Sequence, residues 1–130
     1  MIKSSTKFFL VFICISSLTS FSARADNIEI QQIGPSLENP WGMDFINDSE
    51  LLVTEKKGRI YRINISDGSS SEIYNVPKVS STLQGGLLDI IYNDEVVYYC
   101  YSKDTPKGTV LAIDSANLVN DKLIKRFTTF

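Results

Sequence analysis

Apolar and polar positions alternate along most of this chain in short runs broken by turn residues, a pattern of strands with one face wet. Asn27 to Ile33 alternates in this way and stops at Gly34-Pro35. Trp41 to Phe45 and Glu50 to Glu55 flank Asn47-Asp48-Ser49, which reads as the turn of a hairpin. Arg59 to Ile65 follows a turn at Lys57-Gly58, Asp67 to Ser71 closes it, and Glu72 to Val76 runs up to Pro77. No long apolar run repeats at helical period. A helix fits only around Ser115 to Leu118, as a single turn.

The same order then recurs. Gly86 to Ile90, a turn at Asn93-Asp94, Glu95 to Tyr101, a turn at Lys107-Gly108, Thr109 to Asp114 and finally Leu123 to Phe130 repeat the first set about forty-five residues later. A four-strand unit at that period predicts an all-β protein of β-propeller type, each sheet stacking its faces on its neighbours. A β-sandwich with evenly spaced hairpins satisfies the same periodicity and stays open at this point. Two units would leave an apolar flank and a sheet edge uncovered, so the expectation is about the first two blades of a longer array.

The first 25 residues follow another rule. Lys3 and Lys7 precede the apolar run Phe8 to Ile15, polar and small residues follow, and Ala23-Arg24-Ala25 supplies a cleavage signal. This predicts a secretory signal peptide over residues 1–25, a mature chain from Asp26, and a periplasmic or secreted location. The run is too short to span a bilayer, which argues against a retained anchor and against membrane association after cleavage. Lys3, Lys7 and Arg24 leave with the leader and no acid does, so the net charge moves from −2 to −5. Nothing there favours nucleic acid, and Lys56-Lys57-Gly58-Arg59 reads as basic residues flanking a turn. Cys14 also leaves, so Cys100 stays without an intrachain partner, as a small buried hydrophobe within an apolar strand.

Three segments together carry a family likeness. Leu37-Glu38-Asn39-Pro40-Trp41-Gly42-Met43-Asp44-Phe45, Leu51 to Ile60, and Gln84-Gly85-Gly86-Leu87-Leu88-Asp89-Ile90 resemble, in order and spacing, the opening of the glucose/sorbosone dehydrogenase family of soluble PQQ-dependent aldose sugar dehydrogenases. Each segment alone is weak, and three in order are fairly specific. The resemblance runs from about Leu37 to Ser102 and implies a six-bladed propeller, of which residues 26–130 would be a partial domain. Trp41 and Phe45 can fill space between blades, and Gly42, Gly85 and Gly86 suit close backbone approach, although for Trp41, Gly42 and Phe45 ordinary packing and turn roles are the preferred reading.

Gln84 is the one candidate site residue. Read alone it is a loop amide; the resemblance implies that it lines the substrate pocket, where a neutral amide suits a sugar hydroxyl. Leu83 stands where the family commonly has glycine and Asn93-Asp94-Glu95 replaces a Pro-Asp-Phe turn, so the local pocket shape differs. The family chemistry implied is oxidation at the anomeric carbon, with a histidine base and hydride passing to PQQ. The chain contains no histidine. In the family that residue, the cofactor ligands and the calcium loops come later, so no catalytic, cofactor or metal residue is assigned here. PQQ, calcium and a small-molecule sugar are expected of the complete protein and not of this chain alone. A non-catalytic propeller-type binding module and a nonfunctional remnant are the alternatives.

Overall fold

The computed structural model describes residues 28–128, and the chain divides into Met1–Ile30 and Gln31–Phe130. The signal peptide expected over residues 1–25 lies outside the described residues. Within the second unit β1 (Pro40–Asn47), β2 (Glu50–Glu55), β3 (Arg59–Asn64) and β4 (Ser70–Glu72) form one antiparallel sheet. β5 (Leu87–Asn93), β6 (Val96–Thr105), β7 (Gly108–Val119) and β8 (Lys122–Thr128) form a second.

Both sheets are meanders in strict chain order, and the first strands, β1 and β5, lie face to face. A sandwich of Greek-key type would interleave its strands between sheets, so that alternative is set aside. The hairpin turns follow from local chemistry. Asp94 and Glu95 (φ 48° and 66°), and Asn120 and Asp121 (φ 48° and 58°), take left-handed backbone at both central positions, the type I′ geometry that matches strand twist.

Alternation decides which side chains enter the core. From sheet one, Leu52 and Ile60 face inward with Ile46 beside them; from sheet two come Ile90, Val97 and Tyr99. Thr54 ties the sheets at a β-bulge in β1: its hydroxyl accepts from the Gly42 amide at 2.9 Å and donates to the Leu88 carbonyl at 2.6 Å. Gly42 is required there, because a Cβ would lie 2.7 Å from Asp89 Oδ1 and 2.9 Å from Asp89 Cα. Along the far edge the Tyr74 amide donates to Asp121 O, and Arg62 Nε lies 2.8 Å from Asp121 Oδ1.

Several expectations need correction. Residues 28–33 are exposed and form no strand, since alternation there has no neighbouring strand to pair with; Asn27 lies outside the described residues. The fourth strand is Ser70–Glu72 and not Glu72 to Val76, with only an isolated bridge at Tyr74. Ser115 to Leu118 is no helical turn but part of β7, held by β6 and β8 on either side. Trp41 and Phe45 do not fill the space between the sheets: they are 54% and 52% exposed, on the opposite face of β1 from Gly42 and Asp44. Cys100 is a free, half-buried thiol on the outer side of sheet two, less enclosed than expected.

Candidate functional site

The end of the molecule carrying the β2–β3 turn gathers the polar residues singled out by sequence. The turn Lys56–Gly58 stands beside the segment Thr82–Gly86 that leads into β5. Lys56 joins the two. Its Nζ donates to the Leu83 carbonyl at 2.5 Å, its amide donates to Asn39 O at 3.1 Å, and its carbonyl accepts from the Leu87 amide at 3.0 Å.

This clamp shapes the turn that presents Gln84. Leu83 adopts left-handed backbone (φ 53°), the conformation glycine would take without strain, and the Gly85 amide closes the turn on Thr82 O at 2.9 Å. Two glycines then pass through a gap too narrow for a side chain. A Cβ on Gly85 would meet the Ser80 carbonyl at 2.6 Å, and one on Gly86 would meet the Lys56 carbonyl at 2.6 Å. The close approach read from Gly85-Gly86 is thus a real packing constraint. Gln84 itself is exposed at the tip.

At the Lys56–Gly58 turn the charges are paired. Lys57 Nζ lies 2.6 Å from Glu38 Oε1, and Arg59 Nε donates to Glu55 Oε2 at 2.6 Å. Glu55 is almost wholly buried and also accepts from the Glu38 amide. The hydrogen bond and charge of Lys57 hold the Glu38 carboxyl below its ordinary range. The basic run at Lys56 to Arg59 therefore flanks a turn and is spoken for by carboxylates and a carbonyl, as its composition suggested.

Among the described residues no group of three His, Cys, Asp or Glu side chains could hold a metal ion. What the arrangement offers is one neutral side-chain amide, that of Gln84, at the tip of a turn held by Lys56. Sequence reading missed Lys56, whose role depends on a contact 27 residues away, and Thr54, whose hydroxyl reaches across sheets. No local signal marks either.

A separate cleft of about 370 Å³ lies between sheet two and the segment that precedes it, at Lys78, Tyr101, Lys103, Asp104 and Arg126. It opens beside the buried Asp114, which accepts from the Tyr101 hydroxyl at 3.1 Å and pairs with Arg126 at 3.3 Å.

The chain resembles known proteins over most of its described length. It is 35% identical over 86 residues to aldose sugar dehydrogenase YliI of Escherichia coli, covering 65% of this chain and 23% of that one. It is 26% identical over 114 residues to quinoprotein glucose dehydrogenase B of Acinetobacter calcoaceticus, covering 82% and 23%. Among solved structures it superposes on the apo-form of the soluble aldose sugar dehydrogenase from Escherichia coli with a TM-score of 0.66 at 27% identity, over 72% of this chain and 30% of that one. The fold also matches the PQQ-bound aldose sugar dehydrogenase of Streptomyces coelicolor, with a TM-score of 0.69 at 24% identity, over 78% and 32%. The chain spans about a quarter of the length of the curated relatives it matches. With two propeller-type sheets in order and the Glucose / Sorbosone dehydrogenase model matching residues 37–130, this chain belongs to that family.

Proposed function

We propose that this chain is the amino-terminal part of a periplasmic or secreted PQQ-dependent oxidoreductase that, when complete, oxidises aldose sugars at the anomeric carbon. The observation that carries this reading is co-linearity: the family match begins at residue 37 and continues to 130, and the matched part spans about a quarter of its relatives' length. The leader pattern from Lys3 to Ala25 supports export.

The residues present do not by themselves fit PQQ or its calcium. The carboxylates at the Lys56–Gly58 turn, Glu38 and Glu55, are engaged by Lys57 and Arg59, and the chain has no histidine to take a hydroxyl proton. No chemical step therefore rests on these residues. Their contribution in this reading is to binding. Lys56 holds the turn, Gly85-Gly86 bring it close to the sheet, and Gln84 offers an amide donor and acceptor to a sugar hydroxyl.

The test begins with the reading frame past the codon for Phe130. Expressed whole and supplied with PQQ and calcium, the product should reduce an acceptor dye with aldoses. Gln84→Ala should then raise KM for the sugar about three- to tenfold, the loss of one neutral hydrogen bond. A frame that encodes no further blades, or a complete product inert towards every aldose with PQQ bound, would sink the proposal.

A further inference from the structure

The cleft beside Asp114 lies on the face of sheet two that is turned towards sheet one. Val97, Tyr99 and Tyr101 alternate along that face of β6 and are buried, and Lys103 continues the same row. The opposite wall, residues 77–79, is fixed at both sides. The Ser80 amide donates to Ser102 O at 2.7 Å, and Val79 fills the space above Gly58, where a Cβ would lie 2.9 Å from its Cγ2. As the last strand of its sheet, β8 holds the place of β4, and from β4 the chain passes on to the first strand of the next sheet. A chain that continues this repeat past Thr128 therefore leads to the opposite face of sheet two, away from the cleft.

This concavity is cationic, in a chain whose net charge without the leader is −5. Lys78, Lys103 and Arg126 line it together with one carboxylate, Asp104, and Asp114 is buried beside them. Neither lysine forms an ion pair among the described residues. Asp104 is already engaged, accepting from the Thr109 hydroxyl at 2.8 Å. Asp114 is satisfied at one oxygen only. Its Oδ2 accepts from the Tyr101 hydroxyl at 3.1 Å and lies 3.3 Å from Arg126 Nε, whereas Oδ1 has no partner among the described residues. A carboxylate buried in that state costs stability, and what it holds is a guanidinium at the cleft wall. With its Nε turned to Asp114 and its side chain 45% exposed, Arg126 keeps donors for a second partner.

We propose that this cleft binds a small organic anion through a phosphate or carboxylate group, which Arg126, Lys78 and Lys103 neutralise, with Asp114 the positioning residue for Arg126. A guanidinium held from behind presents a planar fork to two oxygens, and two flexible ammonium groups complete the charge. The volume of about 370 Å³ falls within the span of small-ligand sites, roughly 300–1,000 Å³. The site is separate from the Gln84 turn and does not rest on the sugar reading, because binding is measured and not oxidation.

The experiment uses the product of the whole reading frame. Inorganic phosphate and sodium gluconate are titrated separately, at an ionic strength held constant with sodium chloride, and followed by the thermal midpoint and by calorimetry. At least one of the two should raise the midpoint saturably, and that anion names the group recognised. Lys103→Met and Arg126→Lys should each weaken binding about tenfold, the loss of one hydrogen bond to a charged group, the second although the positive charge is kept. Lys122→Met, at the other end of β8 from Thr128, should leave binding unchanged. Asp114→Leu separates positioning from charge. It makes the cleft more positive and should nevertheless weaken binding about as much as Arg126→Lys. Circular dichroism checks the fold, and Arg126→Lys carries the test if the leucine variant does not fold. The proposal is overturned by anion effects that fail to saturate or that chloride reproduces, and by wild-type affinity in Lys103→Met and Arg126→Lys. Tighter binding by a folded Asp114→Leu overturns the positioning role.

Discussion

At the scale of single residues the clearest tension lies under β6 and β7. Tyr99 is buried to 1% exposure, and its hydroxyl finds no hydrogen-bond partner among the described residues. Oδ1 of the opposite residue, Asp114, is likewise unpartnered. Burial, and then the Asp114 carboxylate, push the Tyr99 phenol well above its ordinary value. A group whose pKa is raised by folding contributes stability that is complete below its unfolded value and is lost as pH rises through the folded one. Unfolding in alkali is therefore expected to begin near pH 10, the ordinary tyrosine value. Tyr99→Phe should delay it and, by deleting an unpaired buried hydroxyl, raise stability at pH 7 by about 1 kcal/mol. Urea melts at pH 7 and pH 10.5 would check both; a loss of stability at pH 7 would mean that the hydroxyl has a partner. Nothing in the sequence announces this tension. The run from Val96 to Tyr101 is apolar throughout and does not say which face turns inward, and the pairing of Tyr99 with Asp114 depends on the register of the next strand.

The elements were largely legible, and where they were not the reason is tertiary. Strands that meet at a hairpin turn, such as Glu50 to Glu55 and Glu95 to Tyr101, were readable, because turn residues fix where hairpins reverse, whereas Glu72 to Val76, bounded by a turn and Pro77, was placed too late in the chain. Asn27 to Ile33 shows the limit: period-two alternation states a preference for extended backbone and supplies no partner strand. Ser115 to Leu118 shows the opposite, a segment with weak propensity made strand by the two neighbours that pair with it. Burial of the inner strands was half legible. The sequence marks Trp41 and Phe45 as large, but the bulge at Gly42 decides which face meets β5. That bulge yields a sharp expectation. Gly42→Ala places a methyl within 2.9 Å of the Asp89 backbone, forcing the sheets apart, and should cost about 2–3 kcal/mol in a chemical denaturation experiment. Retention of wild-type stability would mean that β5 yields easily at that point. Of the candidate site, the glutamine was found through its motif, while the lysine that holds its turn was not, since ε-amino contacts across 27 residues leave no trace in local spacing.

For the whole molecule, charge and topology carry separate consequences. Three carboxyls are held below their ordinary values: Glu38 by the hydrogen bond and charge of Lys57, Asp67 by hydrogen bonds from Ser69, and Asp104 by those from Ser80 and Thr109. Depressed carboxyls contribute stability above their unfolded values, and it is lost as pH falls through the folded ones. The melting temperature should accordingly stay level from pH 7 to about pH 5 and fall below the ordinary values of 4.5 and 3.8. A thermal melt series would show it, Glu38→Gln should soften the fall, and a decline already under way at pH 6 would contradict it. Topology acts on a different axis, that of time. Because each sheet uses its four strands in chain order, every hairpin joins neighbours in sequence, and none waits for a distant segment to arrive. Local pairing of this kind keeps loop-closure entropy small and folding fast for a β protein. During synthesis sheet one is complete once Glu72 has left the ribosome, and its inner face then waits, greasy and open, for β5. The interval between those two events is when this chain most needs protection from aggregation, and the segment from Ile73 to Gly86 sets its length.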